Sequence, residues 1–396
     1  MNGTTIGATL REVRSERGLT QEELAERAGV SKDIIAKLEQ GRRTTARVTT
    51  YARLANALDI HLSDLLGNRS RIEQRDTGGI LAVRDVLLSL DDLPGIDPAD
   101  DDGAPTPLSA LSAQVKHGWA LYWGGRFGDL AHLLPGLIGE ARITERSAGS
   151  AACQPLAQAY QLAADLMVHV GNDDLAAIGA ERAIAAAYRG DDPLQHATLA
   201  GTASWVLLHQ ARLADAERVA RTAAEKIEMP LSKASAAHVT VWGALLLSAA
   251  APAAAAARAD EVGEYIGLSR AAAARFQADR HDYWVSFGPS QVAMQAVHTF
   301  SVLRRPAEAL RAADGVHRPD LLHISYGAHR LDVAQAHLDA RHWDEATAAL
   351  WEAHQVSPEW FRHQGPARAM VRDVVDHEVR KLPDRLRQLR DTVGAV

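Results

Sequence analysis

The sequence specifies an all-α protein, a compact five-helix module followed by an α-solenoid of helix pairs, and three observations carry this reading. Apolar residues recur at 3.6-residue spacing along nearly the whole chain, with almost no two-residue alternation after Leu108. The long alanine-rich segments are separated by Gly, Asp and Pro. One short break motif recurs through the C-terminal two-thirds, the mark of a repeat architecture.

Residues 1–70 are read as the module. Ile6, Leu10 and Val13, then Leu24 and Ala28, then Ile35 and Leu38, then Leu54 and Leu58, and finally Leu62, Leu65 and Leu66 give five short segments one apolar stripe each. Thr20 with Glu23 three residues later forms a capping-box pattern, so a helix is expected from Gln21 to near Gly29. Ser31 caps the next helix. Gly29 supplies the backbone freedom of a tight turn, and with only Val30 between it and Ser31 the two helices must cross steeply.

The segments Gln21-Glu22-Glu23-Leu24-Ala25, Gly29-Val30-Ser31 and Ile35-Ala36-Lys37-Leu38-Glu39-Gln40-Gly41-Arg42-Arg43 resemble the Xre-type, or Cro/C1 phage-repressor, helix-turn-helix family over roughly residues 5 to 67. The resemblance implies a lambda-repressor-like five-helix fold that binds double-stranded operator DNA. It places Gln21 and Ser31 at helix N-termini facing phosphate oxygens. It places Lys32, Asp33 and Lys37 on the side of the third helix that meets base edges in the major groove. A lysine donates to guanine O6 and N7 and an aspartate accepts from cytosine N4, so a half-site containing G·C pairs is expected. Arg42 and Arg43, with Arg47 nearby, suit flanking phosphates. Arg14 and Glu39 match positions that form an internal salt bridge in the family. Against each single charge stands the plainer reading of a solvated helix face.

Charge divides the chain in the same place. Residues 1–75 carry 13 Lys and Arg against 10 Asp and Glu, whereas the remainder carries 30 against 40. Only the N-terminal part suits nucleic acid, and the acidic remainder should stay clear of the duplex. With 396 residues, the chain has far more sequence than a DNA-binding module needs, so a second function lies downstream. The lone cysteine, Cys153, excludes an internal disulfide framework and fits a reducing cytoplasm, where it serves as a small buried hydrophobe. Met1 to Gly18 holds no apolar core of a secretory signal. Val239 to Ala257 runs 19 residues without a charge, but alanine and Pro252 make it a buried helix, a turn and the start of another helix rather than a membrane span.

Residues 71–107 are read as a connecting helix over 72–90, with Ile80, Leu81, Val83, Val86, Leu87 and Leu90 as its apolar side, and a linker from Asp91 to Pro107 containing Asp100-Asp101-Asp102 and Pro105-Thr106-Pro107. From residue 108 to 396, Gly125 to Leu130, Gly171 to Ala176, Ala211 to Ala216, Arg304 to Ala309 and Arg341 to Ala346 align as one turn. A degenerate sixth is expected near Ala251-Pro252, in the widest gap. The pattern resembles degenerate tetratricopeptide repeats, with Trp343-Asp344-Glu345-Ala346 as the best fit; HEAT-like pairs share the same outline. Such an array stacks into a solenoid with a concave face. The resemblance places Trp119, Trp123, Gln158, Gln161, Asp165, His169, Trp205, His209, Gln291, His298 and Gln335 on that face, where glutamines bond an extended peptide and tryptophans hold an apolar side chain. All eight tryptophans follow residue 118, and filling the inter-helix core is their plainer role.

No phosphate-binding glycine motif and no His-Glu-x-x-His is present, His377-Glu378 only beginning the latter, and the six-residue spacing of His317, His323 and His329 puts them on different helix faces or in a loop. No enzyme, cofactor or metal site is expected. The combination resembles bacterial regulators that join this helix-turn-helix to tetratricopeptide-like repeats, some of them responsive to signalling peptides. It implies a cytoplasmic homodimer controlled by a peptide or small-molecule effector; the alternative is an interaction scaffold whose repeats recruit a protein partner, with DNA binding secondary.

Overall fold

The computed structural model describes residues 6–42, 46, 48–58, 60, 65, 79–90, 104–317, 321–378 and 382–394. Helices α1 (Ile6–Glu16), α2 (Gln21–Ala28), α3 (Lys32–Glu39) and α4 (Val48–Leu58) form the module. Leu10, Leu24, Ile35, Leu38, Leu54 and Leu58 close its core, with Ile6 and Val13 packed at the edge. Each such buried side chain contributes about 1.5–3 kcal/mol. Leu65 of the expected fifth helix is buried as well; Leu62, Leu66, Arg43 and Arg47 lie outside the described residues. The capping box at α2 is complete: the Glu23 backbone N–H donates to Thr20 Oγ1 at 3.2 Å and the Thr20 N–H to Glu23 Oε2 at 2.7 Å. Gly29 takes the left-handed conformation, φ 60°, that the turn requires.

Downstream, α5 (Ile80–Leu87) buries Val83 and Leu87 in the core of the helical array, with Ile80 and Val86 beside them. Leu81 and Leu90, read as part of the same apolar side, instead stand exposed at 60% and 62%. An eight-residue helix packed along one line cannot bury both flanks of its stripe. The linker from 91 to 103 and residues 72–78 lie outside the described residues.

Six helix pairs follow: α6 (Leu108–Trp123) with α7 (Phe127–Ala148), α8 (Cys153–His169) with α9 (Asp173–Tyr188), α10 (Pro193–His209) with α11 (Leu213–Ile227), α12 (Ala236–Ala255) with α13 (Ala259–Ala273), α14 (Pro289–Val302) with α15 (Pro306–Ala313), and α16 (His323–Asp339) with α17 (Trp343–Val356). One turn joins the two helices of every pair. Its central residue is left-handed each time: Gly125, Gly171, Ala211, Ala257, Arg304 and Arg341, at φ between 59° and 75°. The N–H of the next residue reaches back five positions, as from Arg126 to Leu121 O at 2.9 Å and from His342 to His337 O at 2.8 Å, closing the end of the first helix. The residue five places after the central one is buried in all six pairs: Leu130, Ala176, Ala216, Val262, Ala309 and Ala346.

The sixth turn therefore lies at Ala257, not at Ala251-Pro252. Helix α12 runs through Pro252 to Ala255. Proline lacks a donor and clashes one turn back, yet three residues from a helix end it ends little. Four of the six left-handed positions carry a side chain, which costs about 1–2 kcal/mol each. Replacing Ala257 by Gly should raise stability by up to about 1 kcal/mol after the glycine's unfolded-chain entropy is subtracted; a lower melting temperature for A257G would contradict this account of the turn.

Helix α12 is long and apolar enough to cross a membrane, but most of it is buried among α10, α11, α13 and α14. Cys153 is buried. Consecutive first helices of the pairs touch along the array, and the first pair also meets the last. Ser357 Oγ donates to Gly125 O at 3.0 Å, and the Gly128 N–H donates to Glu359 Oε1 at 2.6 Å. The winding array thus closes on its own beginning, capped by α18 (Pro358–Arg362), α19 (Gly365–His377) and α20 (Asp384–Val393).

Among the described residues one element, a hairpin, breaks the all-helical pattern. Strands β1 (Arg280–Asp282) and β2 (Val285–Phe287) form a hairpin in register Arg280 with Phe287. Phe287 is fully buried against Gly243 of α12, where a Cβ would fall 2.1 Å from the ring. The two tip residues, Tyr283 and Trp284, are both left-handed, at φ 53° and 64°. Aromatic residues rarely adopt this conformation, and the surroundings must hold it.

Candidate functional site

On the module, α3 buries Ile35 and Leu38 and leaves Lys32, Asp33 and Lys37 exposed, the last two one turn apart. Their ion pairs are superficial: Lys37 to Asp33 at 2.7 Å and Lys32 to Glu22 at 2.8 Å, all four side chains at least half exposed. Pairs of this kind are worth 0–1 kcal/mol and open readily to another partner. Ser31 is exposed at the N-terminus of α3, its Oγ accepting the Ile34 N–H at 3.4 Å, and Arg42 is exposed beyond the helix. Glu39 receives Arg14 through two bonds of 2.6 and 3.0 Å and the Gln21 amide at 2.7 Å, and Arg14 also reaches Leu19 O at 2.6 Å. This knot ties α1, α2 and α3 together, so Gln21, expected at a phosphate, is held half-buried by Glu39. Arg11 and Gln40 join Arg14, Gln21 and Glu39 around a pocket of about 260 Å³. Sequence reading missed Arg11 and Gln40; Arg11, one turn before Arg14 on α1, was the available signal.

Inside the array, the expected inner-face residues fall in register. Six residues before each left-handed turn stand Trp119, Asp165, Trp205, Ala251, His298 and Gln335; two before it stand Trp123, His169, His209, Ala255, Val302 and Asp339. The first three repeats carry the aromatic part. Trp119 lies 5.4 Å from Tyr122 and 6.1 Å from Trp123, His169 lies 4.9 Å from Phe127 and 5.2 Å from Trp205, and Trp205 lies 5.4 Å from His209. Tyr122 Oη and His169 Nε2 are hydrogen-bonded at 3.2 Å. Trp284, at the strained hairpin tip, stacks on Trp119 at 5.5 Å with the rings 7° from parallel. Neither Tyr122 nor Trp284 was picked out from sequence.

Other expected contacts are spent on the protein itself. Gln158 donates to Gln195 at 3.1 Å and Gln161 to Thr202 at 3.0 Å, stitching α8 to α10, and Trp119 is almost wholly buried. His298 pairs with Asp332 at 3.0 Å and Gln335 with Asp339 at 2.9 Å. Gln291, His298 and Gln335 thus sit on α14 and α16, apart from the aromatic group; Gln335 lines a second pocket of about 410 Å³ with Arg304, Trp343, Asp373 and His377. Among the described residues no His, Cys, Asp and Glu cluster is placed to hold a metal.

A helix-turn-helix domain family matches residues 5–65. The HTH-type transcriptional regulator SinR of Bacillus subtilis (strain 168) is 30% identical over 87 residues, spanning 21% of this chain and 78% of SinR. An HTH-type transcriptional regulator of Methanothermobacter thermautotrophicus is 47% identical over 57 residues, 14% of this chain and 81% of that protein. The chain belongs to the Xre-type helix-turn-helix transcriptional regulators. The immunity repressor protein of Bacillus phage phi105 is 34% identical over 70 residues, 18% of this chain and 48% of the repressor. A crystal structure of Bacillus thuringiensis PlcR in complex with the peptide PapR7 and DNA superposes on 86% of this chain and 99% of that one, with a TM-score of 0.38 and 11% identity.

Burial, with the neighbouring His209 and His363, lowers the regulator's His169 to a pKa of about 3. The folded protein therefore resists the proton that unfolded chains accept near 6.5, and His169 stability, complete above that pH, is lost as the pH falls toward 3. At pH 5 the loss is about 2 kcal/mol. His209 shifts in the same direction. Exchanging His169 for Gln should flatten the fall in melting temperature between pH 7.5 and pH 5; an unchanged fall would place the acid sensitivity elsewhere.

Proposed function

We propose that this regulator binds operator DNA as a homodimer and is switched by an effector, a peptide or a small molecule, held on the inner face of its helical array. The observation that carries the DNA half is α3 itself: Lys32, Asp33 and Lys37 are all exposed on it, held by nothing stronger than surface ion pairs. In this reading they meet base edges, while Gln21, Ser31, Arg42 and Arg43 bind phosphates and fix the register. One module covers about half a site, and two related by a twofold axis reach major grooves about 34 Å apart. Arg11, on the rim of the Gln21 pocket, adds a phosphate contact.

The effector half is supported by the aromatic register across α6, α8 and α10 and by the strain held at Tyr283 and Trp284 to complete it. Binding there would change how the array holds its modules, with the stretch from 91 to 107 as the hinge region. Like its relatives' work on DNA, this function belongs in the cytoplasm and needs no catalytic step. The test compares full-length protein with a chain ending at residue 90: retention of dimerisation and of effector response by the short form would overturn the assignment of both to the array.

A further inference from the structure

Asp165 has no partner in a place where it should have one. It is only 7% exposed, no hydrogen bond or ion pair within the described residues reaches its carboxylate, and its Oδ1 is sealed from solvent. Buried carboxylates are ordinarily paired, because desolvation of an unpaired charge is expensive. One turn earlier on the same face of α8, Gln161 keeps an acceptor, Oε1, equally buried and unsatisfied. Both atoms lack a donor, while the Trp119 indole N–H, equally buried, lacks an acceptor. Burial raises Asp165 to a pKa of about 8, the shift a bound cation would reverse.

The surroundings specify the donor further. Asp165 holds the same register position as Trp119 on the preceding first helix and Trp205 on the following one, and these helices are packed side by side. Tyr122 lies close enough to sense its charge, and Trp284 extends the aromatic surface over Trp119. Aromatic faces attract cations, and a carboxylate among them accepts N–H bonds.

We propose, building on the effector reading above, that Asp165 with Gln161, among Trp119, Tyr122, Trp205 and Trp284, is the seat of a primary ammonium group carried by the effector. A free alkylamine and the amino terminus of a peptide share that chemistry. The assignment makes the effector cationic at one end. An anionic or purely apolar effector would leave Asp165 unpaired.

Intrinsic tryptophan fluorescence of the full-length protein at pH 7.5 reads the seat directly, titrated with n-butylammonium, 1-butanol and butyrate. Saturable quenching by n-butylammonium alone is expected; equal responses to butylammonium and butanol would overturn the proposal. Asp165→Asn keeps the shape and removes the carboxyl that ionises against a bound cation. It should weaken butylammonium binding at least tenfold while leaving the melting temperature and DNA affinity near the wild type, and undiminished binding would overturn the seat. The comparison of probes on wild-type protein decides the matter even where the variant folds poorly. Ala-Leu-Phe with a free amino terminus binding more tightly than butylammonium, and losing that advantage on N-acetylation, would assign the ammonium to a peptide; butylammonium binding as tightly as the peptide would assign it to a small amine. Amine binding with no change in DNA affinity would sustain the seat and overturn the switch reading alone.

Discussion

Changing Lys32, Asp33 and Lys37 together to Ala should abolish sequence preference while leaving the module folded. Each side chain is exposed, and the ion pairs lost with them are worth 0–1 kcal/mol apiece. Each base contact, in contrast, discriminates by about 1–3 kcal/mol, so the triple variant should lose roughly 100-fold or more of its preference for operator over random DNA. What remains is phosphate binding through the basic residues around α3, salt-dependent and indifferent to sequence. Competition binding with operator and scrambled duplexes measures this. A triple variant that keeps its preference would remove α3 from the major groove.

Glu39 to Ala should cost the module much of its stability. The carboxylate is 3% exposed and takes three bonds, two from Arg14 and one from Gln21. Removing it leaves the Arg14 guanidinium, itself 13% exposed, without its counter-ion. Breaking one partner of such a buried pair costs about 3–5 kcal/mol, a large share of what a domain of this size has to spare. Helix α3 would be affected too, since Glu39 is its last residue and the knot ties it to α1 and α2. The expected result is early melting of residues 1–70 while the helical array melts as in the wild type, followed by hydrogen exchange of amides in each part. A Glu39→Ala module as stable as the wild type would reduce the knot to ornament. Glu39→Gln, which keeps acceptors for Arg14, should fall between the two.

The module was legible almost residue by residue because its signals are local. Thr20 and Glu23 announce a cap, Gly29 a left-handed turn, and the spacing of Leu24, Ile35 and Leu38 a buried side. Register along the array was legible for the same reason: Gly125, Gly171, Ala211, Arg304 and Arg341 each sit in a motif that breaks a helix. Ala257 carries no such signal, since Ala-Arg-Ala is ordinary helical sequence, and Pro252 drew the expected break five residues too early. The hairpin escaped because strands of three residues offer too few positions for a two-residue period to appear. Closure of the array was equally hidden. It depends on contacts such as Ser357 with Gly125, 232 residues apart, which no local pattern encodes. The assignment of Leu81 and Leu90 to a buried side failed for a related reason, as periodicity defines a stripe but packing decides its width.

The residues expected on an inner face show the same division between position and use. Trp119, Asp165 and Trp205 lie on first helices of the pairs, and which glutamines are consumed in holding α8 to α10 depends on their neighbours' side chains. Trp284, delivered from the hairpin, had no position in the repeat at all.

The central claim is that this chain reads a specific operator as a dimer through α3. Its most direct test is selection of genomic DNA fragments by the purified full-length protein, beside the Lys32, Asp33 and Lys37 triple variant. The account predicts one palindromic motif, with half-site centres about 10–10.5 base pairs or a multiple apart, recovered by the wild type and lost with the variant. Recovery of no motif, with salt-sensitive binding to every fragment alike, would contradict it.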